Sequence, residues 1–402
     1  MRPRDMAKGW KRFLEEESEH QWLAISLFFV FILIGAFAIH GTGKLTGMDL
    51  ARESVVEDSR VLEIDYQSGG DHYSVSHTLD GTYLYKFSDG ERTDIIDPRN
   101  DESASQIKFI TELDNGTIAT SVKENSIMII DDSTISNFNL SEQRGIFNII
   151  DLSENMDSES NSMILITDEG GHTSFRGVSV DGVPSSSMPN TDGVEWQKVE
   201  AIDNHQWIAT GIDISSSSGQ INNPASPEIK PVVGHIIWNG GLTAPMLAKW
   251  YTAPSGEFHS MIRIGNEMII AGTSQTVIFH SSDLTFEQST ITSSAAVKSG
   301  CEVVWFFGPL NSESVIKWTE DGNEVIELQH RLPIEIETHG VSSDIIYMHG
   351  IDSNGEYKTL IFDDSSYGSI ESGRGFLNFA FLLTFTIVFG VMGWNIIERM
   401  KF

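Results

Sequence analysis

Residues 108–140 read KFITELDNGTIATSVKENSIMIIDDSTISNFNL, a pattern of short strands broken by tight turns. Apolar residues concentrate in 108–113, 117–122, 126–131 and 135–140, and the breaks carry Asp114-Asn115-Gly116 and Lys123-Glu124-Asn125. Gly and Asn adopt the positive φ that hairpin turns require, so each break reads as a hairpin. A sheet of four such strands has no second layer to cover its apolar faces, so the unit must stack on copies of itself.

The copies are present. Aligned on the strand after the first turn, seven of them begin near His72, Thr117, Ser162, Gln206, Glu267, Glu302 and Asp344, at intervals of 45, 45, 44, 61, 35 and 42 residues. Four strands in about 40 to 50 residues is the span of a propeller blade. The chain therefore resembles seven-bladed β-propeller repeat proteins in general, and no narrower family is recognisable. Two stacked β-sandwich domains give similar spacing, but no Pro-rich linker divides the region. The long interval contains an insertion, residues 213–231, with Ser215-Ser216-Ser217-Ser218-Gly219 and further Asn, Pro and Gly, too broken for strand.

Ser281-Ser282-Asp283 and Thr319-Glu320-Asp321-Gly322 resemble degenerate Asp-box turns of sialidase-type propellers. The first lacks the glycine and both lack the closing aromatic, so the resemblance implies hairpin turns and no sialidase activity. No arginine cluster for a substrate carboxylate can be assembled, and the Trp and Gly signatures of quinone-cofactor propellers are absent.

The flanks differ in kind from the repeats. Residues 22–39 contain no charge over 18 positions, about 27 Å as a helix, and residues 376–397 contain none over 22. We read 1–21 as a cytoplasmic segment, 22–40 as one transmembrane helix, 41–59 as a connector, 60–365 as the propeller, 366–375 as a flexible tether, 376–397 as a second transmembrane helix and 398–402 as a cytoplasmic tail. Arg2, Arg4, Lys8, Lys11 and Arg12 precede the first span, which places both termini inside and the large domain outside, at the plasma membrane. Ala36-Phe37-Ala38 also has the form of a signal-peptidase site, but Glu15-Glu16-Glu17 and the long polar leader argue for an uncleaved anchor.

Between the spans lie 19 basic and 51 acidic residues. Such a surface repels nucleic acid and anionic lipid. Cys301 is the one cysteine, inside an apolar run, so no intrachain disulfide forms. Acidity without disulfides fits an archaeal or bacterial surface protein. No paired histidine spacing, G-x-S-x-G elbow or phosphate-binding glycine loop occurs, so no catalytic or metal residues are assigned. The acidic turns 352–356 and 151–159 could hold Ca²⁺ only without full EF-hand spacing, and no cofactor is expected. Asn115-Gly116-Thr117 and Asn139-Leu140-Ser141 have the form of glycosylation sequons.

The expected function is binding: a membrane-anchored extracytoplasmic propeller acting as a receptor, adhesin or scaffold for a protein or glycan partner on its outward face. The alternatives are a propeller hydrolase acting on glycans or peptides, and a subunit of a membrane-protein assembly or quality-control complex. Three or more carboxylates or arginines facing the central channel would favour the enzyme; an apolar or mixed lining would favour the binder. Ring closure is expected from residues 53–56, completing the last blade. The outward face should carry the insertion and the connections 98–105 and 183–193, with Trp196, Trp250, Tyr251, Asp101, Asp192 and Asn222 as candidate partner contacts.

Overall fold

The computed structural model describes residues 48–364 except 52–58, 68–69, 90, 101–106, 132–133, 157–161, 180, 190, 192, 215–229, 301 and 329, together with residues 30–32, 35 and 383–386. Residues 47–364 form one compact unit, and residues 1–46 with 365–402 form another. Within the first, the described strands assemble into seven antiparallel sheets, six of four strands and one of three. They are the seven blades of a propeller.

The second strands of the blades begin at His72, Ile118, Met163, Gln206, Glu267, Val303 and Ile345, each within one residue of its expected position. These strands are buried almost throughout, whereas the outer strands, such as Glu91–Ile96 and Thr134–Asn139, are mostly exposed. A middle strand has a neighbouring blade on each face, which selects continuous apolar runs such as Met163-Ile164-Leu165-Ile166; an outer strand lies at the rim and needs no such run.

Successive blades are joined by apolar clusters. Phe175 of blade 3 meets Trp196 of blade 4 with ring centroids 5.1 Å apart, and the indole of Trp238 lies flat over Gly177. A Cβ at Gly177 would come within 2.2 Å of that indole, so only glycine fits there. Between blades 6 and 7, Trp305 meets Phe362 edge-on at 4.9 Å.

The inner strands of neighbouring blades run side by side in one direction. Asp151, Ser153 and Asn155 of blade 3 accept from the backbone N–H groups of Val199, Ala201 and His205 of blade 4. Ring closure comes from the N-terminal side, as expected, but from Met48–Leu50, not from 53–56, which lie outside the described residues. Met48 pairs with Phe362 and Leu50 with Leu360, completing blade 7 as its outer strand. Arg60 to Glu337 at 3.0 Å, Ser342 to the Gln67 carbonyl at 2.8 Å, and Tyr66 to His349 at 3.1 Å then tie blade 1 to blade 7.

This register defines two faces. Because Met48 is opposite Phe362, the chain enters and leaves the ring side by side on one face, here the proximal face. The first-to-second turns lie there too, since Ser342 pairs with Ile345 at the same end of blade 7. The opposite, distal face carries the blade-to-blade connections and the second-to-third turns, including the insertion, whose ends Asp213 and Lys230 are paired. Connection 183–193 departs from expectation: Ser185 donates to the Gly177 carbonyl and Met188 to that of Phe175, so its first half lies along the outer edge of blade 3 in place of a regular fourth strand.

Ser281–Leu284 and Glu320–Asp321 are both turns between the third and fourth strands of their blades. In the first, Asp283 accepts from the backbone and hydroxyl of Thr285 at 3.2 and 2.7 Å. Asn115 likewise accepts from Thr117 inside its turn. Residues 30–32, 35 and 383–386, inside the two apolar runs, are helical. Among the described residues no helix is long and apolar enough to cross a membrane; both expected spans fall almost wholly outside them.

Candidate functional site: the central channel

Most inner strands alternate between a side chain packed against a neighbouring blade and one turned to the ring axis. Val194–Asp203 shows this clearly: Val194, Trp196 and Val199 are buried while Glu195, Gln197, Lys198 and Glu200 are not, the register shifting between Trp196 and Lys198. All seven blades contribute in this way to a cavity of about 680 Å³ on the axis. Its mouth is on the distal face, because Phe258 and Ala295 at the starts of their strands line it, as do Asp168, Gly171 and Thr173 around the second-to-third turn of blade 3.

Deeper in, side chains reach across the axis between blades that are not neighbours. Lys198 Nζ of blade 4 lies 3.5 Å from Glu63 Oε1 of blade 1. Ser260 Oγ of blade 5 lies 3.3 Å from His339 Nε2 of blade 7, and Arg263 of blade 5 donates to Met156 Sδ, just past the first strand of blade 3, at 2.7 Å. The channel is thus a funnel, open distally and narrowed below by an ion pair and two polar contacts.

Its electrostatics are those of desolvated carboxylates. Burial pushes the Asp151 carboxyl up to about 7, although Lys198 and the Val199 N–H oppose it. Crowding by the funnel walls, which desolvates the carboxyl although its side chain still meets solvent, raises Glu200 as well, against Arg263 and Lys198; burial raises Asp65 to about 6, with Glu112 adding to the rise. The Lys198 ammonium is held above its ordinary value, chiefly by Glu63. Glu195 and Glu337 also line the cavity, with Lys108 and with Phe109, Ile150, Phe258 and Met261. The lining meets both parts of the sequence criterion: more than three carboxylates, interleaved with lysine and apolar groups.

One cluster has nucleophile geometry. His259 Nε2 lies 3.0 Å from the Ser293 carbonyl, so it carries the proton, and Nδ1 accepts from Ser260 Oγ at 2.9 Å. His339 Nε2 must then donate to Ser260. Burial lowers His259 to about 4 and His339 to about 3, which keeps both rings neutral. Yet Ser260 also accepts from Ala296 N–H at 3.3 Å, as Ser153 accepts from Ala201 N–H at 2.9 Å two blades earlier. That shared register gives the hydroxyl a structural task, tying adjacent inner strands together.

The candidates from sequence fall elsewhere. Trp196 is 1% exposed, wedged between blades 3 and 4, with Nε1 donating to Thr191; it is a packing residue and not a surface contact. Trp250 is 52% exposed on the outer strand Met246–Thr252, at the rim. Tyr251, next to it, packs on Phe286, and its hydroxyl accepts from Gln275 and Gln288. The structure does not bring them into the funnel. Asp101, Asp192 and Asn222 lie outside the described residues. The Asp352 carboxylate accepts from the backbone N–H groups of Glu356 and Asn354, which lowers its pKa. Among the described residues no group of three or more His, Cys, Asp or Glu is placed to hold a metal ion.

Fold and channel together define the class: this is a seven-bladed β-propeller repeat protein with a charged funnel on its axis. No family model matches the chain, and no curated protein matches it. Among solved structures it is similar to a streptogramin B lyase at 11% identity and a TM-score of 0.49, over 78% of this chain and 97% of that one. It is similar to Chaetomium thermophilum Raptor, also at 11% and 0.49, over 80% of this chain and 29% of that one, and to the Neurospora crassa Pan2 WD40 domain at 8% and 0.48, over 80% and 96%. The fold assignment rests on the strand pairing itself.

Proposed function

We propose that the protein is a membrane-anchored, extracytoplasmic propeller that binds a protein partner on its distal face. The observation that carries this reading is the pairing of Met48 with Phe362, which makes the chain enter and leave the ring at adjacent points of one face. Both flanks contain long uncharged runs, and two such runs attached to one face leave the other free. The funnel opens on that free face. The test is extraction of membranes from cells expressing the full chain. Retention after a carbonate wash at pH 11, with the propeller digested by protease added outside intact cells, is expected. Release by the wash, or full protection from the protease, would contradict the reading.

A second reading, hydrolysis at Ser260, is favoured by the bond from its hydroxyl to His259. Labelling of Ser260 by a fluorophosphonate, lost in Ser260→Ala, would establish it; absence of labelling at neutral pH would exclude a reactive serine there.

A further inference from the structure

A second cavity, about 500 Å³, adjoins the funnel on the distal face between blades 2 and 3, and the two share Lys108, Ile150 and Asp168 as walls. Lys123 and Glu124, at the second-to-third turn of blade 2, and Asn148, at the start of the inner strand of blade 3, line its outer part. Together the cavities make a groove that runs from the axis outward over the distal face. We propose that this groove binds an extended peptide segment, with a basic group in the funnel and an acidic residue over Lys108 and Lys123. The inference rests on the reading of the protein as a binding module.

Charge carries the assignment. Among the described residues the ammonium groups of Lys108 and Lys123 have no hydrogen bond or ion pair, in a domain where acids outnumber bases by more than two to one. Two unpaired lysines on one groove are what an incoming carboxylate would use. At the inner end carboxylates prevail: Glu63, Asp151, Glu195, Glu200 and Glu337 line the funnel, and Lys198 among them is already engaged by Glu63. A ligand cation there supplies what the site lacks. A neutral glycan would use neither end, and a nucleic-acid strand would be repelled by the inner one. An extended peptide advances about 3.3 Å per residue, so a basic and an acidic residue a few positions apart can reach both ends.

The test is selection of binders from a random heptapeptide display library on the full protein in detergent, with a glycan array as the second arm. Wild type should enrich peptides in which a basic residue stands two to five positions from an acidic one. The Lys108→Glu/Lys123→Glu pair should bind the enriched peptides about tenfold or more weakly and enrich a second basic residue instead of the acidic one. Glu200→Gln should lose the basic preference alone. Both sets change exposed side chains, and an unchanged melting temperature shows that folding is intact. Enriched peptides whose affinity is indifferent to all three substitutions would overturn the groove while leaving the binding module standing. No enrichment at all, or lysine-dependent binding of glycans instead, would overturn the proposal.

Discussion

At Gly177 the missing side chain matters as much as any present one, because the Trp238 indole occupies the space a Cβ would need. Gly177→Ala should destabilise the protein by about 1–3 kcal/mol in denaturant unfolding. Trp196→Ala, which empties the same seam, should cost about 3–5 kcal/mol, whereas Trp250→Ala at the rim should change stability by about 0.5 kcal/mol or less. Equal effects of the two tryptophan substitutions would contradict the assignment of one to the core and the other to the surface. Neither position was separable in sequence, since both are tryptophans next to polar residues.

Asp151 gives a prediction with a definite sign. Its folded pKa, about 7, lies above its ordinary value of 3.8, so the folded state holds the proton more tightly than the unfolded chain. The penalty on its charge is therefore full above about pH 7 and is relieved as pH falls toward 4. Asp151→Asn, which can still accept from Val199, should be more stable than wild type at pH 8, by on the order of 1–3 kcal/mol, with the difference shrinking to nothing near pH 4. A difference that grows as pH falls would show that the carboxylate is a net stabilising anion. His259 and His339 act oppositely: with folded values lowered to about 4 and 3, their contribution is intact above the unfolded pKa and is lost as pH falls from about 6.5 toward those values.

Among the elements, the second strands were legible to within a residue because burial on both faces forces an unbroken apolar run. The inner strands were less so. Their charged positions, such as Glu195, Lys198 and Glu200, look like an ordinary solvated face, and only the ring places them on a common axis. That alternation in the first strand of each unit was the available signal for the funnel. The closing strand was missed for a different reason. Met48-Asp49-Leu50 is three residues long, and so short a piece has no periodicity to read; its place comes from the unpaired edge of Tyr357–Asp363. Removing residues 48–50 should raise amide hydrogen exchange in that strand while leaving blades 2 to 5 protected. Uniform loss of protection across the ring would mean that closure governs the whole fold and not one blade.

Over the whole molecule the basic residues of the turns and connections collect on one face. None of the turns on the proximal face contains Lys or Arg and most contain Asp or Glu, whereas Arg99, Lys108, Arg144 and Arg331 all fall in distal connections. A proximal face of that kind gains nothing from anionic lipid, so the proposed membrane anchoring would have to come from the apolar flanks. Membrane association should accordingly be insensitive to salt up to 1 M, and its loss in high salt would point to a peripheral, electrostatic attachment instead.

All of this depends on how the ring closes, and one cross-link tests it. Asp49 lies opposite Ile361, and directly paired antiparallel residues have Cα atoms about 4.5–5.5 Å apart, within disulfide range. In a Cys301→Ser background, Asp49→Cys with Ile361→Cys should form an intrachain disulfide under mild oxidation, seen as faster migration that reducing agent reverses. No cross-link, or one found only between chains, would contradict a ring that the chain enters and leaves side by side.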